Sequence, residues 1–249
     1  MSTPTRRIAV ILGVGPGLSA SIAKKLSSTH SLLLLSRSLP DSLPKLNLPS
    51  SIPKENILAL SSDGSSSSLK KAFEDLQKHW PESRVDVGIY NVNEKFEMKD
   101  FLDKSESEIR SGLETGVVGG WNLSQSILPL FLKNEPDSET GAKGVLLFTG
   151  ATMSIKAGAK FSSLAPGMFA RRALSQSLAR EFGPKGVHVG HVIIDGIINT
   201  ERVKGMMGED KGDKRLDPDD IATTYLALVN QRRSAWTQEL DIRPDCESW

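Results

Sequence analysis

Short apolar runs alternate along the chain with longer segments in which apolar residues recur at helical spacing. The short runs contain mostly Val, Ile and Leu, which favours strands that are buried on both faces. Strands are predicted at 7–12, 32–35, 57–60, 85–90, 144–148, 187–194 and 240–242. Helices are predicted at 18–26, 69–80, 109–132, 164–182 and 217–229.

This alternation predicts the fold class. Continuous apolar strands that alternate with helices are typical of a parallel sheet covered by helices on both faces. We therefore expect an α/β fold with a doubly wound, mainly parallel sheet, in which residues 1–249 form a single domain. Three segments rich in Pro, Gly or polar residues are predicted to be loops: 38–54, 134–143 and 201–216.

Charge and composition exclude several classes of function. The 249 residues include 31 Lys and Arg against 30 Asp and Glu, a formal net charge of +1, which gives no basis for binding nucleic acid through its phosphates. The longest apolar runs, such as 32–35, are far shorter than the ~18 residues that a membrane span needs. Cys246 is the single cysteine, so an internal disulfide is impossible. The amino-terminal segment lacks the pattern of a secretory signal, so a cytoplasmic location is expected.

A glycine-rich turn joins the first predicted strand to the first predicted helix. Residues 13–19 read GVGPGLS. Glycines let the backbone approach a pyrophosphate closely, and the helix N-terminus offers free N–H groups and a partial positive charge. Gly13 and Gly17 give a G-x-x-x-G spacing, which is neither G-x-G-x-x-G nor a P-loop. A glycine turn can also simply end a strand, but its place at the first strand–helix junction favours dinucleotide binding. The expected contacts are Gly13, Gly15, Pro16, Gly17 and Leu18.

The end of the second predicted strand distinguishes the two nicotinamide cofactors. NAD sites usually place a carboxylate there for the ribose 2′-hydroxyl, whereas NADP sites offer an arginine to the 2′-phosphate. This chain has Ser36 and Arg37 at that point and no carboxylate. Because Arg37 is able to make a bidentate, charge-assisted contact with a phosphate, NADP(H) is predicted as the cofactor. The alternative is that Arg37 is an ordinary surface arginine with no role in binding a cofactor.

Further motifs make the chain resemble the short-chain dehydrogenase/reductase family over residues 7 to about 244. They are the glycine turn, Asp63 after the third strand, VDVGIYNVN at 85–93, and ALSQSLAREFGPKGVHVGHVIIDGIINT at 173–200. The resemblance implies one Rossmann-type domain that binds a nicotinamide dinucleotide. It implies that Asp63 lies near the adenine. The other cofactor contacts that it implies are Gly64, Asn91, Val92, Gly196, Ile198 and Thr200.

The same resemblance implies a departure in the catalytic residues. Members of the family reduce carbonyls with a Ser, a Tyr, a Lys one helical turn after the Tyr, and often an Asn. Alignment on LAREFG at 178–183 puts Leu164 at the position of the Tyr and Met168 at that of the Lys. Ala151 falls near the position of the Ser, and Gly116 at that of the Asn. The usual proton donor is therefore missing.

Three polar residues are candidates for catalysis. Thr152 and Ser154 follow the fifth predicted strand, at the edge where such folds bind ligands, and either hydrogen-bond a substrate or are ordinary turn residues. Asp195 follows the sixth strand and either orients a substrate or relays a proton, or simply caps the next turn. His188 and His191 form an H-x-x-H pattern, but residues three apart on a strand point to opposite faces, so no metal site is predicted.

These observations support three hypotheses of function, led by an oxidoreductase. The first is an NADP(H)-dependent reductase with an atypical active site, which transfers hydride to an activated C=O, C=N or C=C bond of a small organic substrate. The second is a dinucleotide-binding sensor, scaffold or partner subunit without redox turnover, and the third is a non-redox lyase, isomerase or cyclase. The glycine turn and Arg37 favour the first two, and the missing Tyr and Lys favour the last two. The resemblance further implies a homodimer or homotetramer formed through two long helices.

Overall fold

The computed structural model describes residues 6–93, 98–212 and 214–246. Seven strands in the described residues form one sheet with the order β3-β2-β1-β4-β5-β6-β7, and every neighbouring pair is parallel. The prediction of a doubly wound parallel sheet is therefore confirmed. The strands are β1 Arg7–Leu12, β2 Ser31–Ser36, β3 Ile57–Ser61, β4 Arg84–Tyr90, β5 Gly144–Ala151, β6 Val187–Ile194 and β7 Glu239–Ile242.

Helices cover both faces of this sheet. The helices are α1 Leu18–Leu26, α2 Ser66–His79, α3 Glu106–Leu113, α4 Gly119–Lys133, α5 Ala165–Phe182, α6 Glu201–Met207 and α7 Pro218–Val229. Helices α1 and α7 pack on one face, and α2, α4 and α5 pack on the other. Within the described residues, no helix combines the length and the apolar character that crossing a membrane requires.

The side chains of β1 alternate between these two layers. Ala9 and Ile11 pack with the core under α1 and α7. Ile8, Val10 and Leu12 pack with the core under α2 and α4. All five side chains are buried, which explains why the strand is a continuous apolar run rather than an alternating one.

The single helix predicted over 109–132 is instead divided into α3, a π-helical turn over Glu114–Val118, and α4. The turn lies where this helical segment comes closest to α5. A Cβ atom built on Gly116 would lie 2.5 Å from the Cα of Gly167, and a Cβ on Gly167 would collide with the carbonyl oxygen of Gly112. Only glycines permit this approach of two helix backbones, and π-turns of this kind are frequent at functional sites.

The prediction of a loop over 201–216 is wrong for the first half of that segment, which forms α6. The Thr200 hydroxyl caps this helix by accepting a hydrogen bond from the Val203 N–H at 3.3 Å. Met206 and Met207 are both exposed, so α6 presents little of the buried apolar stripe by which a helix is recognised from sequence.

We predict opposite effects for two glycine-to-alanine substitutions in helices. Gly167→Ala should lower the free energy of unfolding by about 1–3 kcal/mol, because the new methyl group has no room against the Gly112 carbonyl. Gly205→Ala in α6 should leave stability unchanged or raise it by up to ~1 kcal/mol, because nothing lies within 4 Å of the new Cβ. Urea unfolding of the two variants measures both values, and equal effects would contradict the close helix contact.

Candidate cofactor and substrate site

The carboxyl ends of the parallel strands face a cavity of about 530 Å³. It lies where the strand order reverses between β1 and β4, the point at which doubly wound sheets bind their ligands. We call it the dinucleotide cleft. All but one of the fourteen cofactor contacts expected from the sequence line it: Gly13, Gly15, Pro16, Gly17, Leu18, Ser36, Arg37, Asp63, Asn91, Val92, Gly196, Ile198 and Thr200. The exception is Gly64, whose Cβ position is 3.7 Å from the Gly119 Cα.

The glycine turn lets the backbone approach a pyrophosphate closely, and the positions of two of its glycines leave no room for any side chain. Gly13 has φ 93° and Gly17 has φ 136°, both in the region that favours glycine. A Cβ on Gly13 would lie 2.5 Å from the Asn91 carbonyl oxygen, and one on Gly17 would lie 2.9 Å from the Thr200 side chain. At Gly15 nothing lies within 4 Å of the Cβ position, so its side toward the cleft is open.

The N-terminus of α1 opens onto the same cleft. Its N-cap residue, Gly17, makes no side-chain capping bond, and the first turn contains no acidic residue. The N–H groups of that turn therefore have no capping side chain, which favours an anion. Ser19 accepts a hydrogen bond from the Gly15 N–H at 2.9 Å and donates one to the Gly15 carbonyl at 3.1 Å, so it fixes the turn that the anion would meet.

The opposite end of the cleft offers a cation and a carboxylate. Arg37 is exposed at the rim, beside Ser36 at the end of β2. Asp63 accepts hydrogen bonds from the Ser65 N–H at 2.9 Å and the Ser68 hydroxyl at 2.7 Å. Hydrogen bonds from Ser65 and Ser68 lower the pKa of the Asp63 carboxyl to about 2. Asp63 is therefore an ionised acceptor at neutral pH, as contact with an adenine amino group would require.

A smaller cavity of about 130 Å³ adjoins the cleft, and we call it the acceptor cavity. Val92, Asn93 and Ala151 line both, so the two are neighbours. Its lining includes all four positions that the family resemblance aligns with catalytic residues: Gly116, Ala151, Leu164 and Met168. The convergence of these positions supports the alignment, and none of the four side chains can donate a proton.

The three catalytic candidates from the sequence line neither of these two cavities. The Thr152 hydroxyl donates to one carboxylate oxygen of Asp195, and the other oxygen forms an ion pair with Arg243 at 2.8 Å. This network joins the ends of β5 and β6 to the segment after β7. Ser154 is fully buried, and its hydroxyl accepts a hydrogen bond from the Ala151 N–H at 3.2 Å. All three therefore brace the loops around the site.

The two strand histidines also have local partners. His188 Nε2 lies 2.8 Å from the Thr237 carbonyl oxygen, and its ring stacks on that of Trp236. His191 Nδ1 lies 2.9 Å from a Glu239 carboxylate oxygen. In the part of the chain that the structure describes, no cluster of three or more His, Cys, Asp or Glu could hold a metal ion.

Sequence reasoning missed Arg171, which is 1% exposed and lines the acceptor cavity. Its Nε donates to the Gly116 carbonyl at 2.7 Å, and its Nη1 donates to that of Thr149 at 2.6 Å. Its Nη2 donates to the carbonyls of Val92 at 2.9 Å and Thr115 at 2.7 Å. The guanidinium thus joins the segments that follow β4 and end β5 to the π-turn.

One sequence signal could have identified this arginine. Arg171 follows Met168, the position aligned with the family's Lys, by three residues on the same helix, and such residues share a face. Thr149, whose carbonyl accepts from Arg171, is itself buried, and its hydroxyl lies 2.6 Å from that of Tyr225.

Known proteins match this chain over nearly its whole length. Oxidoreductase UcpA of Salmonella typhimurium is 23% identical over 235 residues, which is 94% of this chain and 84% of that protein. The structure of a short-chain dehydrogenase from Rhodopseudomonas palustris superposes with a TM-score of 0.76 and 27% identity, covering 97% and 100% of the two chains. An alcohol dehydrogenase from the archaeon Thermococcus sibiricus, solved with 5-hydroxy-NADP, gives a TM-score of 0.79 at 20% identity, covering 98% of each chain.

The family model described as short chain dehydrogenase matches residues 7–210, well over half of the chain. Its range contains the glycine turn, the dinucleotide cleft and the acceptor cavity. The chain therefore belongs to the short-chain dehydrogenase/reductase family, an oxidoreductase family whose members bind a nicotinamide dinucleotide.

Proposed function

We propose that the protein is an NADP(H)-dependent reductase with an atypical active site, which transfers hydride to an activated double bond of a small organic substrate. One observation carries the proposal: a dinucleotide cleft with a glycine turn and Arg37 adjoins a small cavity lined by Leu164 and Met168. The first feature supports binding of the phosphorylated cofactor, and the second supports an acceptor site beside it. The archaeal alcohol dehydrogenase, which was solved with 5-hydroxy-NADP, adds support by analogy.

The chain's own residues would divide the binding of the cofactor among them. The uncapped N-terminus of α1 would hold the pyrophosphate, and Arg37 would pair with the 2′-phosphate. Asp63 would accept from the adenine amino group, while Ile198 and Thr200 would contact the nicotinamide end. When bound, the reduced nicotinamide supplies a hydride, and the protein supplies position and a dry cavity.

The acceptor must react without an acid at the usual place. A positioned general acid typically contributes ~10²–10⁴ in rate, and Leu164 contributes none of it. Leu164, Met168 and Met153 instead give this cavity an apolar wall, which would lower the local dielectric. A substrate that is already activated, by conjugation or by its own charge, suits such a cavity.

The missing acid also favours a second function, a dinucleotide-binding protein without redox turnover. The same cleft would then serve a sensor, a scaffold or a partner subunit, and Leu164 and Met168 would simply close it. Non-redox lyase, isomerase or cyclase chemistry in the acceptor cavity is the third possibility. A cytoplasmic location stays a prediction for each of the three.

We also propose that the chain forms a homodimer or homotetramer through α4 and α5. Trp121 is 53% exposed on α4 and Phe169 is 41% exposed on α5. Large exposed aromatic side chains on a helix surface are typical of interface positions.

Nucleotide titration followed by a turnover assay tests the proposed function. We expect calorimetry to show tighter binding of NADPH than of NADH, and absorbance to show oxidation of NADPH with at least one of a carbonyl, an imine and an enone. Binding of NADPH without any turnover would replace this proposal with the binding function. If neither nucleotide binds, both proposals are wrong.

Replacement of Arg37 tests the cofactor preference. Arg37→Ala should weaken NADPH binding by roughly tenfold or more, because a charge-assisted hydrogen bond contributes about 1.5–3 kcal/mol. NADH lacks the 2′-phosphate, so its affinity should hardly change. Lys45→Ala is the matched control, since Lys45 is an exposed cation in the following loop that does not line the cleft. Equal losses for NADPH and NADH would refute the assignment of Arg37.

The assembly proposal is tested by molar mass in solution. Light scattering on an eluting column peak should give two or four chains for the wild type and a smaller species for a Trp121→Glu, Phe169→Glu double variant. Leu102→Glu, which alters an apolar side chain that is 92% exposed and lies outside both helices, should leave the mass unchanged. A monomeric wild type would contradict the proposal.

A further inference from the structure

Arg171 places a buried positive charge beside the acceptor cavity. All four of its described hydrogen bonds go to backbone carbonyl oxygens. Among the described residues, no carboxylate forms an ion pair with it. Carbonyl dipoles stabilise the guanidinium but carry no net charge, so within residues 6–93, 98–212 and 214–246 no carboxylate cancels its positive charge.

The ionisable neighbours leave this charge in place. The Tyr90 ring lies 4.7 Å from the guanidinium carbon, and burial raises the pKa of the Tyr90 and Tyr225 hydroxyls, which keeps both neutral. Burial lowers the pKa of His191, which keeps that ring neutral at physiological pH. Burial also lowers the pKa of Arg171 itself, but a guanidinium begins so high that it stays protonated.

The surroundings strengthen the effect of the charge. Leu164, Met168 and Met153 line the same cavity and offer no ionic screening. A charge acts more strongly through such a low-dielectric interior than through water. The electrostatic potential that the described residues create in the acceptor cavity should therefore be positive, even though the whole chain carries a formal net charge of only +1.

We propose that Arg171 selects acceptors that become anionic as the hydride arrives, namely neutral α,β-unsaturated carbonyl compounds, and disfavours cationic iminium ions. The proposal rests on the proposed function and narrows its substrate class. Arg171 acts here as a specificity-determining residue through its field, because its described hydrogen bonds are made to the backbone.

The reaction step explains this preference. A hydride, given with its electron pair by the reduced nicotinamide, forms a C–H bond at the β-carbon of the acceptor, and the nicotinamide is oxidised. The electrons of the C=C bond move toward the carbonyl and leave a negative charge on its oxygen, as an enolate. The proton reaches the α-carbon from bulk water once the enolate has left the cavity. The positive charge of Arg171 stabilises the enolate as it forms.

The alternatives fit the cavity less well. A simple ketone would give an alkoxide, which is much more basic than an enolate and needs the acid that Leu164 does not provide. An iminium ion would enter beside a like charge in an apolar cavity, which opposes its binding. The enone therefore matches both the missing acid and the buried arginine.

Binding of p-nitrophenol tests the field without any turnover. The phenolate form carries a delocalised negative charge like an enolate and absorbs visible light, so the pKa of the bound phenol can be read by titration in the absence of nucleotide. We expect the pKa of p-nitrophenol to fall by about one unit or more when it binds to the wild-type protein, because a cation within a few ångströms favours the charged form.

Four variants locate the effect. Arg171→Gln should abolish the shift in the phenol pKa, whereas Arg171→Lys should keep most of it. Arg180→Gln removes the same charge from the exposed side of α5 and should leave the shift unchanged. Leu164→Trp should fill the acceptor cavity and prevent binding. Thermal melting of each variant reports whether it is folded.

The outcomes separate this proposal from the proposed function. Three results would each overturn the role of Arg171. The first is a phenol pKa that stays constant or rises on binding, and the second is a wild type that does not bind the phenol. The third is a shift that Arg171→Gln retains. If Arg171→Gln does not fold, Arg171→Lys decides, because it keeps the charge: loss of the shift in a folded Arg171→Lys variant would overturn the role of that charge. NADPH oxidation with an iminium ion but not with an enone would refute the substrate class and leave a reductase. A phenol shift without any NADPH oxidation would refute the reductase and leave the positive cavity.

Discussion

The site depends first on how closely the backbone after β1 approaches the backbone after β4. The Gly13 N–H donates to the Leu35 carbonyl at 2.8 Å, and the Asn91 N–H donates to the Leu12 carbonyl at 2.8 Å. The glycine turn is thereby held across the ends of β2, β1 and β4, with no space for a side chain at Gly13. Because the strand order reverses at this point, the crossing helices diverge, and the N-terminus of α1 is left facing an open cleft.

A second constraint acts where the acceptor would lie. The guanidinium of Arg171 holds backbone carbonyls from the segment after β4, the end of β5 and the π-turn. Removing one partner from such a buried set would leave carbonyl groups without donors, which is costly in an apolar interior. The cation is therefore built into the framework of the site, which makes its field constant whatever substrate enters.

The sequence predicts the sheet well because its central strands, such as β1 and β2, are buried on both faces and contain nearly unbroken apolar runs. Thirteen of the residues that it singles out line one cleft, since glycines at a strand–helix junction and the residues that end parallel strands must meet at one edge. It fails at the π-turn, because the glycine contact between Gly116 and Gly167 joins segments that are far apart in the chain. It fails again at Arg171, because an arginine in a helix of mixed polarity is typical of a solvent-exposed position.

This difference between the two halves of the site has a physical origin. The cofactor half is made mainly of backbone, and few sequences can satisfy its positive φ angles and close contacts, so its pattern is readable. The acceptor half is made of side chains that come from separate elements, and exchanging them changes the chemistry with little effect on the backbone. In the alignment that the family resemblance implies, Leu164 and Met168 stand where a proton donor and an ammonium group are usual, and both line the cavity beside Arg171. If that alignment holds, the absence of the usual polar groups and the stronger effect of the buried charge both follow from the same two apolar side chains.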